Sequence, residues 1–192
     1  MITNEKGKGT DKVAVAGQVS ILEKAFEKAV WKITRFASEA DKLANKVYSK
    51  AEALKLFGAE QFSTVERNLL LNGGINNLLT LVAGTGGTKY DNATAFIGVG
   101  DSSTAAVATQ TGLQAATNKA YAAMATSFPT YGTSQKATWK SSFDASTGNF
   151  AWEEFIVCTS NAGANALNRK VSAQGTKTSG QVWEVTLEIT LS

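Results

Sequence analysis

From residue 183 to 191 apolar and polar residues alternate without exception: Trp183, Val185, Leu187, Ile189 and Leu191 fall on one side, Glu184, Thr186, Glu188 and Thr190 on the other. A period of two is that of a strand with one face in a core and the other in water. The same period runs, less cleanly, through 94–100 (TAFIGVG), through 135–143, where Ala137, Trp139, Ser141 and Phe143 share a side, and through 149–158 (NFAWEEFIVC). The turn-rich DASTG between the last two predicts a hairpin that joins them. Four such segments with turn signals between them predict an antiparallel β-sandwich or small antiparallel sheet in residues 93–192.

Upstream the spacing changes. Leu22, Phe26, Ala29, Ile33, Phe36, Ala40, Leu43 and Val47 follow a 4-3-4-3 pattern, which Leu54 continues after Lys50 interrupts it. That is a heptad seam, with Glu23, Glu27, Lys24 and Lys28 off it and Gly58 as a natural stop. Three structures satisfy it: an amphipathic helix lying on a neighbour, a coiled coil between chains, or a hairpin of strands over 13–36. The last follows from the alternation of Val13, Val15, Val19 and Ile21 and of Trp31, Ile33 and Arg35. Residues 68–92 predict a second helix, with Leu71, Ile75, Leu78, Leu79 and Val82 on one apolar face and Gly84, Gly86 and Gly87 ending it. Gly73 and Gly74 inside it mark a kink or the close approach of another backbone. With the polar, glycine-bearing residues 1–12 as a flexible start, the expected organisation is an attachment or oligomerisation arm, 1–62, and a helix plus antiparallel β body, 63–192. The fold class is α+β.

Composition narrows what such a body can do. Its 192 residues are 43% apolar but only 18% charged, so much of the surface must be Ser, Thr, Asn, Gly and Ala, as suits a protein packed against copies of itself. The net charge of +3 resides in residues 1–62, and the remainder is neutral. Interleaved signs at that level give no one-signed stripe for phosphate backbones, so no direct nucleic-acid binding is expected. Cys158 is the only cysteine, so no internal disulfide forms, and its apolar neighbours predict a buried strand position. The start lacks the apolar core of a signal peptide, and no apolar run approaches a membrane span. The expectation is a protein made in a cytoplasm, with no membrane partner.

The glycine loops invite a phosphate-binding reading and fail it on spacing. In AGTGGTKY, Lys89 follows Thr88 and precedes Tyr90, which breaks the P-loop pattern on both sides. In FIGVGDSS, Ser103 stands where a dinucleotide fingerprint needs its third glycine. Gly98, Gly100 and Asp101 are therefore read as a structural turn at a strand end, with Asp101 capping the backbone that follows. The chain has no histidine, which removes the usual general base and the commonest zinc ligand. Of the carboxylates, Glu153 and Glu154 point to opposite faces of a strand, and Glu184 and Glu188 stand about 13 Å apart by strand rise, too far for a glycosidase pair. Asp91–Asn92 and Asp101–Ser102 read as Asx-turns before they read as calcium ligands. No enzyme, cofactor or metal site is expected. Trp139 and Trp183 belong to apolar strand faces; Trp152 is the ring left open for stacking on a sugar.

The order of segments NLLLNGGINNLL, YDNATAFIGVGDSSTAAVATQTGLQAATNKAYAAM, NFAWEEFIV, LNRKV and GTKTSGQVWEVTLEITLS resembles a group of tailed-bacteriophage virion proteins over most of residues 66–192. Members are structural components of the particle, found on the head as decoration or fibre proteins or in the tail, and none is an enzyme. The resemblance implies a capsid decoration or cement protein in the virion, with the major capsid protein and copies of itself, as a homotrimer, for partners. A tail or fibre protein whose β domain binds a host-surface glycan is the alternative. It is weakest over the arm, where Phe26, Ile33, Phe36, Leu43 and Val47 are the expected contacts with shell or sister chains.

Overall fold

The computed structural model describes residues 28–191. Readings placed on residues 1–27, namely the flexible start, the Val13–Ile21 alternation and the seam positions Leu22 and Phe26, lie outside these. Strand β10 (Val182–Thr190) occupies the centre of a five-stranded sheet, between β1 (Lys28–Phe36) and β7 (Lys136–Phe143), with β2 (Phe62–Glu66) and β6 (Thr130–Thr133) at the edges. A second five-stranded sheet runs β3 (Leu69–Leu70), β9 (Asn168–Val171), β8 (Glu154–Cys158), β4 (Phe96–Gly100), β5 (Lys119–Ala123). All strand pairs are antiparallel. Three helices, α1 (Glu39–Leu43), α2 (Lys50–Phe57) and α3 (Asn72–Ala83), complete an α+β, mainly β, sandwich-like fold.

The inward residues of β10 are those its alternation assigns: Trp183, Val185, Leu187 and Ile189 are buried. Leu191, which continues that pattern, lies past the strand and is exposed. On the outer face Glu184 pairs with Lys140 of β7 and Glu188 with Lys32 of β1, both at 2.9 Å. In a half-exposed setting each pair contributes only about 0–1 kcal/mol, so the buried face fixes the register and the pairs refine it.

The heptad reading is corrected over 28–36, where the chain is a strand. Ala29 and Ile33 lie four apart and so satisfy both a helical seam and a strand's odd-numbered face. Trp31 and Arg35, which fall off the seam, are fully buried and decide for the strand. Among the described residues both edges of β1 are occupied, by β10 along all of it and by β2 along Val30–Thr34; the 13–27 part of the expected hairpin lies outside them. The boundary expected at residue 62 does not separate an arm from a body, because β1 and β2 belong to the sheet that β10 centres. The predicted β7–β8 hairpin is also absent, since the two strands lie in different sheets and DASTG crosses between them. Asp144 turns the chain there, its Oδ1 accepting from Ser146 N, Ser146 Oγ and Thr147 N at 2.8–2.9 Å.

Aromatic rings fill the space between the sheets. Trp152 lies 4.8 Å from both Phe143 and Trp183, and Trp31 lies 5.7 Å from Phe155. Those two edge-on pairs of Trp152 add about 0.5–1.5 kcal/mol each beyond the area they bury. Helix α2 closes one end by placing Phe57 against Trp183 and Tyr48. A Ser49–Glu52 capping box starts it, and Gly58 ends it at φ 64, the left-handed stop expected from sequence.

Candidate functional site

The helix predicted over 68–92 is α3, and its expected core face is split. Leu71, its N-cap, is fully buried and Leu78 packs against the core, but the buried positions within the helix are Gly74 and Asn77, and Ile75, Leu79 and Val82 are 36%, 60% and 85% exposed. Two local interactions set its rotation. A Cβ on Gly74 would lie 2.5 Å from Leu167 Cα and O, so the helix backbone itself packs on the Ala166–Leu167 segment, the close approach that a glycine permits. Asn77 clamps the next loop by donating Nδ2 to Thr88 O at 2.8 Å and accepting from Thr88 N at 3.0 Å. With an amide and a glycine inward, positions 75, 79 and 82 form a single outward stripe at helical spacing.

The five expected attachment residues do not form one surface. Phe26 is outside the described residues, and Ile33 and Phe36 are buried in the first sheet. Leu43 and Val47 are 76% and 73% exposed, at the end of α1 and in the turn after it. They, with Leu79 and Val82, are the most exposed aliphatic side chains described.

Gly98, Gly100 and Asp101 do not form a turn. Both glycines lie inside β4 at ordinary φ, and their role is space. A Cβ on Gly98 would sit 2.8 Å from the Tyr121 ring and 2.9 Å from Ile156 Cγ1. On Gly100 it would sit 2.5 Å from Glu154 Oε1. Asp101 accepts from Asn118 Nδ2 at 2.6 Å, which ties the strand end to the approach to β5 rather than capping the backbone after it.

The carboxylate beside Gly100 is the centre of a network that sequence reasoning missed. Glu154 and Arg169 are both fully buried and bonded at 2.7 Å. Glu154 also accepts from Gln114 N at 2.9 Å and Ala115 N at 2.7 Å, and Arg169 Nη1 donates to Gln110 Oε1 at 3.0 Å. One ion pair thus pins the 110–115 segment to β8 and β9. A second buried cation, Arg35, lies 4.7 Å over the Trp183 ring and donates to Glu60 O, Ser63 Oγ and Gln174. Burial lowers its pKa to about 10.

The tryptophans offer no stacking platform. Trp31, Trp139, Trp152 and Trp183 are all buried, and Trp152, the open case, is 0% exposed. Cys158 is buried as expected, its Sγ 3.2 Å from Ser160 O, and burial pushes its thiol up to about 11. Asp91 forms the expected Asx-turn, accepting from Ala93 N and Thr94 N at 3.1 Å. Among the described residues no three His, Cys, Asp or Glu side chains converge as metal ligands, and no helix is long and apolar enough to cross a membrane. Comparison with protein-family models, with curated proteins and with solved structures finds no match to this chain.

Proposed function

We propose that this chain is a non-enzymatic structural protein of a tailed-bacteriophage virion, a decoration or cement subunit that binds the assembled shell and stabilises it. The observation that carries the reading is the outward Ile75–Leu79–Val82 stripe of α3 on an otherwise charge-poor molecule. Apolar side chains ordered on a rigid helix are costly in water and useful only where another surface covers them. The segment order resembling virion proteins supplies the kind of surface, and the neutral composition suits lateral packing at high copy number. The partners in this reading are the major capsid protein and copies of the chain, as a homotrimer. Leu43 and Val47 remain contact candidates, and Leu79 and Val82 replace Ile33 and Phe36. A subunit that binds only the assembled shell adds its binding free energy to the stability of that shell.

Two measurements test this. Quantitative mass spectrometry of separated heads and tails should find hundreds of copies in the head fraction. A few copies confined to tails would overturn the decoration role and favour a tail or fibre protein acting on a host glycan. Leu79→Asp with Val82→Asp should leave thermal unfolding of the free protein unchanged and abolish decoration of particles. Wild-type occupancy by that variant would remove α3 from the attachment.

A further inference from the structure

The register Leu69↔Arg169 joins β3 to β9 at the edge of the second sheet, and a cavity of about 280 Å³ opens there. Arg67, Asn68, Arg169 and Lys170 line it, with Ala106 from the loop opposite. Its polar lining is rich in donors. Arg169 is fully buried and uses Nε on Glu154 and Nη1 on Gln110, and its Nη2 has no partner among the described residues. Asn68 Nδ2, also shut from solvent, has none either. Buried N–H groups left without acceptors are uncommon in folded proteins, and these two belong to residues that line one cavity, where a shared acceptor would satisfy both.

Charge gives that acceptor its class. Glu154 offsets Arg169, but neither Arg67 nor Lys170 pairs with a carboxylate of any described residue. Lys170 Nζ donates to Glu66 O at 2.7 Å, and both desolvation and the neighbouring charge of Arg67 lower its pKa, so two like charges are held together at a partly dry site. Among the described residues the result is an excess of two positive charges beside two unused donors. A carboxylate would neutralise half of the excess; a tetrahedral dianion neutralises all of it and has acceptor oxygens for every donor.

We propose that the cavity between β3 and β9 is a binding site for a dianionic oxyanion, taken either as free phosphate or sulfate or as a phosphate monoester group. Arg169 Nη2 and Asn68 Nδ2 hold its inner oxygens, and Arg67 and Lys170 close over it from the solvent side. The site is independent of the α3 stripe and of the attachment reading.

Thermal unfolding of the full-length protein in phosphate, sulfate, glycerol phosphate, acetate and chloride at matched ionic strength tests the assignment. The melting temperature should rise with the logarithm of phosphate or sulfate concentration above the Kd and not respond to acetate or chloride. A response to glycerol phosphate at least equal to that of phosphate identifies a monoester as the physiological source, and a response to the inorganic ions alone identifies the free ion. Arg67→Asn with Lys170→Gln should weaken the response at least about tenfold, as expected for losing two charge-assisted bonds. Asn tolerates the left-handed backbone of Arg67, at φ 64, so this variant should melt with the wild type in acetate. Amide shifts on titration with phosphate should centre on Asn68 and Arg169. Equal responses to all anions, a double variant that responds like the wild type, or shifts centred elsewhere would each overturn the site.

Discussion

Glu154→Gln is the sharpest probe of what holds the second sheet to its loop. The change is nearly isosteric and leaves an oxygen to accept from Gln114 N and Ala115 N, but it sets an amide N–H₂ against Arg169 Nε–H, where a carboxylate oxygen now lies at 2.7 Å. Donor then faces donor, and the guanidinium is left buried without a counter-charge. Breaking a buried pair from one side costs about 3–5 kcal/mol, because the surviving charge keeps its desolvation penalty. At about 2–4 °C per kcal/mol for a chain of this size, the melting temperature should fall by about 6–20 °C. Urea and thermal unfolding followed by near-ultraviolet circular dichroism would measure it. Adding Arg169→Met to Glu154→Gln removes the stranded cation, so the double variant should be more stable than the sum of the single costs by over about 1.5 kcal/mol. A cost below about 1 kcal/mol for Glu154→Gln, or strict additivity in the cycle, would refute the network as the support of the 110–115 segment.

Gly100→Ala should destabilise by about 1–3 kcal/mol in urea titration, since the new methyl meets Glu154 Oε1 at 2.5 Å within a hydrogen-bonded strand. A chain beginning at residue 63 should aggregate and give no near-ultraviolet signal, because it lacks β1, which leaves one edge of β10 open and β2 without a partner; a monomer with a cooperative melt would contradict the sheet order. Cys158, held up at about 11 by burial, should resist a thiol reagent at pH 8 in the native protein and react fully in denaturant. Hydrogen bonds from the Ser146 hydroxyl and then from the backbone hold Asp144 down at about 2, below its unfolded value near 3.8. Its contribution is therefore complete above pH 4 and lost as pH falls from about 4 to 2, and urea midpoints of Asp144→Asn should fall less steeply over that interval than those of the wild type.

What could be read from sequence was whatever a single strand or helix specifies by itself. Strand β10 was legible because each of its side chains faces either core or water, and β7 for the same reason. β1 was ambiguous because residues four apart satisfy both periods, so Ala29 and Ile33 could not decide between them and only Trp31 and Arg35 could. The existence of α3 followed from its spacing, but its rotation did not. An apolar stripe is expected inward, and the contacts that turn it outward, Gly74 on Leu167 and Asn77 on Thr88, involve residues distant in sequence or small enough to look neutral. Glu154 and Arg169 carried no periodic signal at all, because a buried ion pair is defined by two strands meeting. Gly100 of β4 was the visible trace of it, and it was read as part of a turn because glycine marks close approach and chain reversal alike.

Strand β1 finds its main partner, from Lys28↔Thr190 to Phe36↔Val182, across nearly the whole described chain. At ribosomal rates of about 5–20 residues per second, roughly ten to thirty seconds separate the appearance of β1 from that of β10. Throughout that time Trp31 and Ile33 have no sheet to enter, and β2 can offer only a two-stranded ribbon of marginal stability. The first sheet must therefore close after β10 is made, through a long loop whose entropy is lost before its contacts form, which is the signature of a slow folder. A folded copy is thus a finished one: a prematurely ended chain has no central strand, and quality control of the protein is built into the order in which its strands are synthesised.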